Sequence, residues 1–352
     1  MLKNIILKDI KKFKVGIAGY GVVGKRRKHF IDQHLNLEVI ALCDKNLSGI
    51  DQIDSKIKLH TNYLDLLKED LDVVFVCMTN DIAPEVTIKS LESGRHVFCE
   101  KPPGRTVKDI VEVIKAEKQT KLKLKYGFNH RYHESVILAK KKIDSGEYGD
   151  IININGVYGK SRIVSFEGGW RSKREVAGGG ILLDQGIHML DLMRFFVGEF
   201  SEIKSFVSNS FWNHDVEDNA YALLKSKKGI VAILNSSATI WEHKFSLRIN
   251  LTKGFIELTG LLTSSKSYGE EKLTSFIYDP KKISNIIDTS EIKFLEDNSW
   301  EYEINEFVDC ITNDLNPKYG SSEDALETMK LVYRIYEDDN DWVNKQNINE
   351  KF

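Results

Sequence analysis

The stretch Phe13-Lys14-Val15-Gly16-Ile17-Ala18-Gly19-Tyr20-Gly21-Val22-Val23-Gly24 decides the fold of this chain. Its first half is an apolar run of strand length. Its second half is G-x-G-x-x-G at the opening of a basic, helix-like segment. Gly19 permits a tight turn, Gly21 lets a pyrophosphate approach the backbone, and Gly24 allows close helix–strand packing. The free N–H groups and partial positive charge of a helix N-terminus then face the phosphates, so Tyr20, Val22 and Val23 are expected to line the same dinucleotide site. A second apolar run, Leu37 to Cys43, ends at Asp44, 20 residues after Gly24. A carboxylate there accepts hydrogen bonds from the adenosine ribose and repels a 2′-phosphate, which favours NAD over NADP. Lys45 beside it could still receive that phosphate.

Outward from this motif, Asp72–Met78, Arg95–Cys99 and Leu122–Phe128 read as further strands, with helix-like Ala83–Ser93 and Val107–Lys118 between them. Uninterrupted apolar strands separated by helices predict an α/β Rossmann arrangement, a doubly wound and mostly parallel sheet. The 352 residues suit two domains. A dinucleotide-binding domain is expected over 1–128 and an α+β substrate-binding and oligomerisation domain over 129–352. In the latter, Ile151–Tyr158, Ile203–Asn209, Ala220–Leu224, Ile230–Ala238, Ser246–Leu251 and Gly254–Thr259 follow one another with short turns. They predict a large, mostly antiparallel open sheet, completed by a C-terminal helix over roughly Glu323–Tyr336.

Composition narrows the function classes. Hydrophobic residues make up 41% and charged residues 29%, as in ordinary globular proteins. Fifty Lys+Arg against 52 Asp+Glu leave a net charge of −2, with no broad basic field for nucleic acid or an anionic membrane. No run approaches the about 18 apolar residues of a membrane span. Met1–Lys14 lacks the apolar core of a signal peptide. Four cysteines without a C-x-x-C pair argue against disulfides or a zinc cluster and for a reducing cytoplasm. The spacing of His130, Arg131, Tyr132 and His133 makes no metal set, and no metal is expected. Lys121–Lys125 and Lys140–Lys142 read as solvated faces, and Val216–Asn219 as a solvated turn.

Cys99-Glu100-Lys101-Pro102-Pro103 follows the fourth strand. Ligands of doubly wound sheets bind outside the carboxyl ends of the strands, so Lys101 would project toward the nicotinamide and could donate to a substrate hydroxyl. A solvated lysine before a Pro-Pro turn is the competing reading. The glycine motif followed by this E-K-P resembles the glucose–fructose oxidoreductase, inositol dehydrogenase and rhizopine catabolism (Gfo/Idh/MocA) family. Tyr126-Gly127-Phe128-Asn129-His130-Arg131-Tyr132 is similar to the family's G-F-N-x-R-[FY] segment. Gly178-Gly179-Gly180 with Asp184-x-x-x-His188 resembles its G-G-G-x-L-x-D-x-G-x-H signature, and Ser322-Glu323-Asp324-Ala325-Leu326 its late helix start. The resemblance spans about residues 13–336. It implies that Thr79, Asn80, Glu100 and Lys101 bind cofactor and that Asn129 and Arg131 bind substrate. Ala83 stands where many members carry His in the T-P-N-x-x-H segment, here Met78-Thr79-Asn80-Asp81-Ile82-Ala83.

On its own terms Asp184-x-x-x-His188 can place a carboxylate and an imidazole on one helix face, suited to proton transfer at neutral pH. Asp191 could instead orient that imidazole, and a locally satisfied histidine is the bland alternative. Trp170 and Arg171 can stack on or hydrogen-bond a sugar, or simply form a surface loop. Together these readings predict an enzyme, an NAD-dependent dehydrogenase moving hydride to or from a secondary alcohol of a sugar, cyclitol or nucleotide-linked sugar. Lys101, Asp184 and His188 would be its catalytic and substrate-binding residues. A redox-neutral NAD-dependent glycosidase, a sugar transhydrogenase with tightly held cofactor, and a non-catalytic NAD-sensing protein, which the presence of Lys101, Asp184 and His188 disfavours, are the alternatives. The open sheet needs cover, and the resemblance implies a homodimer or homotetramer.

Overall fold

A computed structural model describes residues 12–47, 53–163, 169–263, 266–279 and 289–346. The reading of Met1–Lys14 falls mostly outside these residues. In chain order, the first elements are β1 (Phe13–Ala18), α1 (Val22–Gln33), β2 (Leu37–Cys43), β3 (Lys58–His60), α2 (Tyr63–Leu66), β4 (Val73–Val76), α3 (Ala83–Glu92), β5 (His96–Cys99), α4 (Val107–Lys118) and β6 (Leu124–Tyr126). There follow α5 (Glu134–Asp144), β7 (Ile151–Ser161), α6 (Arg174–Ala177), α7 (Ile187–Val197), β8 (Phe200–Ser208), β9 (Asn219–Ser226), β10 (Val231–Ile240) and β11 (Lys244–Leu251). The last are β12 (Gly254–Thr259), β13 (Glu271–Ile277), β14 (Ser290–Phe294), α8 (Ser299–Thr312), α9 (Ser322–Asp338) and α10 (Asn340–Gln346).

The chain divides into two compact units. One holds the described residues up to Gly104 with Lys108–Gly127 and Trp300–Glu323; the other holds Arg105–Val107, Phe128–Ser299 and the described residues from Asp324. A single cut at residue 128 therefore misplaces α8. Its Ile304, Phe307 and Val308 join Val15, Ile17, Phe75 and Phe98 in one buried core. The Phe307 ring meets both Phe75 and Phe98 edge-on, at centroid distances of 6.0 and 5.5 Å.

In the first unit, six parallel strands run in the order β3-β2-β1-β4-β5-β6, the doubly wound arrangement expected from the sequence. Lys123 and Lys125 are buried here, against the expectation of a solvated face. Lys125 Nζ donates to the Tyr319 carbonyl at 2.6 Å, and burial lowers its pKa against the pull of Glu306.

The second unit is built on an eight-stranded sheet, β14-β13-β12-β11-β7-β10-β9-β8. Every pairing is antiparallel except β7 with β10. Gly156 on β7 explains how α7 lies against this sheet: a Cβ there would fall 2.5 Å from Met189 Sδ and 2.6 Å from Met193 Cε. Without that carbon the helix settles close to the strand, and α7 is buried all round from Ile187 to Arg194.

Candidate active site

On the first unit, the expected cofactor residues leave the same edge of the sheet, the carboxyl ends of β1, β2, β4 and β5. Gly19 has φ +93°, and a Cβ on it would lie 2.3 Å from the Cys77 carbonyl oxygen. A Cβ on Gly24 would lie 2.0 Å from Gly19 O, so α1 is pressed onto the turn. Gly21, the N-cap of α1, meets nothing within 4 Å of its Cβ position. No side chain caps this helix and no acidic residue enters its first turn, so the amides of Val22 and Val23 suit an anion. At the end of β2, Asp44 Oδ2 accepts from the Tyr20 amide at 2.7 Å and Oδ1 from the Asn46 amide at 3.0 Å. An open helix N-terminus, close-packed glycines and a carboxylate after β2 fit a dinucleotide such as NAD.

Thr79 and Asn80 follow β4. The Thr79 carbonyl accepts from the Ile82 and Ala83 amides and so turns the chain into α3, where Ala83 is a buried first residue. Glu100 and Lys101 follow β5. Glu100, expected at the cofactor, accepts from Arg27 Nε at 2.5 Å. Arg27 is fully buried, donates its other arm to Glu303 at 2.7 Å and lies 4.2 Å from the rings of Phe98 and Trp300. Burial pushes the Glu303 carboxyl up to about 7, against the pull of Arg27 and Lys125. Glu100 thus anchors the turn that carries Lys101.

On the second unit, Asp184 sits in a π-helical turn, Leu182–Gly186, that runs directly into α7, whose second residue is His188. The continuous α-helical face expected from the spacing begins at Ile187 instead, and wide turns of this kind recur at functional sites. The three preceding glycines each allow a close approach: Gly178 to Arg105, Gly179 to the Tyr336 hydroxyl, and Gly180 to the Glu217 backbone. Val216–Asn219 is not a solvated turn. Glu217 is buried and accepts from the amides of Gly180 (2.7 Å) and Leu182 (3.0 Å) and from Tyr336 (2.7 Å), which fixes the glycine segment. Asp218, also buried, accepts from the amides of Ser210, Phe211 and Trp212.

Arg171 Nε lies 3.6 Å from Asp184 Oδ1, and its guanidinium sits 4.4 Å from the Trp170 ring. These three are brought together as a half-exposed group. Asn129 and Arg131, expected to bind substrate, are engaged within the unit. Asn129 Nδ2 donates to Ser299 Oγ at 3.1 Å. Arg131 clasps Asp191 with Nε (2.7 Å) and Nη2 (2.6 Å), while Nη1 lies 2.8 Å from Asp324 Oδ2. Both Asp191 oxygens therefore accept from Arg131, and Oδ1 also from Thr328 Oγ1 at 3.4 Å.

Four further residues escaped the sequence reading. The His130 ring is stacked on His188, and Tyr158 lies tilted to both. Tyr268 accepts from Gln185 Nε2 at 2.8 Å and meets Tyr158 edge-on. Lys160, two residues beyond Tyr158 on β7, has its pKa lowered by burial, with Asp184 opposing and Arg171 adding to the effect. On the strand, Tyr158 and Lys160 share a face by their period of two, the one local signal that joins them.

Residues 13–128 match the model of an oxidoreductase family with an NAD-binding Rossmann fold, and residues 136–257 that of the GFO/IDH/MocA C-terminal domain. The chain is 25% identical over 292 residues to inositol 2-dehydrogenase of Salmonella typhimurium, covering 80% of this chain and 83% of that one. It is 34% identical over 141 residues to levoglucosan dehydrogenase of Pseudarthrobacter phenanthrenivorans, a match spanning 40% of this chain and only 36% of the relative. The solved structure of a levoglucosan dehydrogenase in complex with NADH and levoglucosan is similar in fold, with a TM-score of 0.83, 20% identity and coverage of 93% and 97% of the two chains. Two domain models in the expected order, on the glycine turn and sheet described above, place this chain in the GFO/IDH/MocA family of oxidoreductases with an NAD-binding Rossmann fold.

Proposed function

We propose that the protein is an NAD-dependent dehydrogenase that oxidises a secondary alcohol of a sugar or cyclitol, or reduces the matching ketone, with nucleotide-linked sugars in the same chemical class. The observation that carries this reading is the single sheet edge from which the glycine turn, Asp44 and Lys101 all emerge. Bound NAD supplies the hydride acceptor at its nicotinamide. Lys101 donates Nζ–H to the substrate oxygen and polarises it, and His188 takes the hydroxyl proton. Asp184 holds the substrate, with Trp170 and Arg171 beside it offering an aromatic face and a guanidinium to a sugar. Lys101 and His188 have chemistry that also permits the exchanged assignment.

The same reading makes the protein a homodimer or homotetramer of the cytoplasm. Its support is the outward sheet face, where Phe206, Tyr221, Leu223, Val231 and Ile233 are exposed on adjoining strands. The four free cysteines suit a reducing compartment.

The test mixes purified protein with NAD or NADP across inositols, levoglucosan, free aldoses, glucosides and nucleotide-linked sugars, and reads nicotinamide absorbance. Reduction of NAD with one substrate class, lost in Lys101→Ala and in His188→Ala while NAD still binds, is the expected result. Undiminished turnover in both variants overturns the assignment. Light scattering checks the oligomer.

A further inference from the structure

His188 has its ring plane set by aromatic neighbours on the second unit. Phe128 meets it edge-on at 6.2 Å, and Tyr158 lies tilted at 6.5 Å. The intimate partner is His130, whose ring lies 3.7 Å away, centroid to centroid, with 17° between the planes. His130 is itself fixed at both nitrogens. Nδ1 lies 3.2 Å from Asn129 Oδ1, and Nε2 lies 3.3 Å from the Tyr158 hydroxyl. An amide oxygen can only accept, so Nδ1 of His130 donates to Asn129; in the neutral ring Nε2 then accepts from the Tyr158 hydroxyl. Burial raises the Tyr158 pKa well above its ordinary value, which keeps that hydroxyl protonated and able to donate. Asn129 is held in turn, since its amide nitrogen donates to Ser299 Oγ, which donates to Asp297 at 2.5 Å.

We propose that His130 is a positioning residue: a neutral imidazole platform, clamped between Asn129 and Tyr158, that fixes the ring of His188 and supports the charge it gains on taking a substrate proton. The inference rests on the acid–base role given to His188 above. A neutral ring face stabilises an adjacent cation, and a flat neighbour at stacking distance leaves the His188 ring little freedom to tilt. The other histidine beside this platform, His133, is paired with Glu271 at 2.8 Å and meets His130 only edge-on, at 5.5 Å. Its part is to hold the segment rather than to extend the stack.

Two variants separate platform from packing. His130→Leu keeps bulk and removes the flat ring; His130→Phe keeps a ring and removes both nitrogen contacts. In His130→Leu kcat is expected to fall about a hundredfold, the scale of a misaligned catalytic group, with KM little changed. His130→Phe retains most of the turnover. The second readout needs no substrate. In histidine-labelled protein, the imidazole Hε1 resonance of His188, identified by its loss in His188→Ala, carries the ring-current shift of a stacked neighbour. It is expected to lose that shift in His130→Leu and keep it in His130→Phe. Full kcat in His130→Leu, or an unchanged His188 resonance there, overturns the proposal. If His130→Leu does not fold, loss of the ring-current shift in folded His130→Phe overturns it, and retention of the shift supports it. If wild-type turnover survives His188→Ala, the acid–base reading fails while the resonance still reports the stack by itself.

Discussion

Alanine at Gly21 and alanine at Gly24 are expected to fail in different ways, because the two glycines answer to different neighbours. At Gly21 the added methyl meets no protein atom within 4 Å, and φ −72° with ψ −159° is open to any residue. Stability should therefore be unchanged. The methyl instead stands where a pyrophosphate must approach, and the amides at the start of α1 lose one or two charge-assisted hydrogen bonds. At roughly 1.5–3 kcal/mol each, that weakens NAD binding by about 10- to 10²-fold or more. At Gly24 the methyl would lie 2.0 Å from Gly19 O, and 3.0 Å is the least that real side chains show, so the helix must withdraw by about 1 Å. Overpacking of this kind costs typically 1–3 kcal/mol, or about 3–10 °C in Tm for a unit of this size. Binding is weakened as well, because the same amides retreat. Thermal unfolding without ligand and calorimetric titration with NAD separate the cases. Wild-type NAD affinity in Gly21→Ala, or a wild-type Tm in Gly24→Ala, would refute the reasoning.

Asp44→Ser removes the carboxylate that repels a 2′-phosphate and should shift the NADP-to-NAD ratio of dissociation constants toward NADP by about tenfold. Equal ratios in variant and wild type, measured by fluorescence titration, would show that the preference lies elsewhere. Arg131→Met leaves Asp191 buried without its partner, so urea unfolding should show a loss of about 3–5 kcal/mol, part of which Asp191→Asn in the same chain restores. A loss below about 1 kcal/mol would mean the clasp carries no load. Glu303 sets a pH signature: burial raises its folded-state pKa from 4.5 to about 7. Between those values the folded chain holds a proton that the unfolded chain releases, so this stabilising contribution is complete below about 4.5 and fades as pH rises through 7. Denaturant unfolding of Glu303→Gln from pH 5 to 8 should lack that part of the decline; an identical slope in both proteins excludes Glu303 as its source.

The first unit was readable because β1, β2, β4 and β5 are apolar on both faces and the glycine turn fixes where β1 ends. β3 offered no pattern, being three residues at the sheet edge with none buried. β13 hid for another reason. Its inward positions are Glu271, Leu273 and Ser275, so a buried carboxylate and a hydroxyl replace the alternation that marks a strand. That carboxylate is satisfied by His133 and Ser135, about 136 residues earlier in the chain, which no local window reveals. Asp184 and His188 stand out as candidates because the glycine-rich signature around them, more than their spacing, singles them out. His130 does not, because its partner in the stack lies on another element and nothing in Asn129-His130-Arg131 announces it. The error over Val216–Asn219 has the same origin: three polar residues look solvated until backbone amides and hydroxyls from other segments are found to fill their lone pairs.

The seat of α8 bears on the order in which the protein can mature. The faces of Phe75 and Phe98 that form early in the chain are closed by Phe307, and the Arg27 charge is balanced partly by Glu303. A ribosome must therefore finish the whole eight-stranded sheet before the dinucleotide-binding unit can complete its core. Until then an apolar wall and a half-paired arginine are exposed to chaperones and proteases. A fragment ending near residue 128 would carry every residue expected at the cofactor along the sheet edge and still lack the helix that seals it.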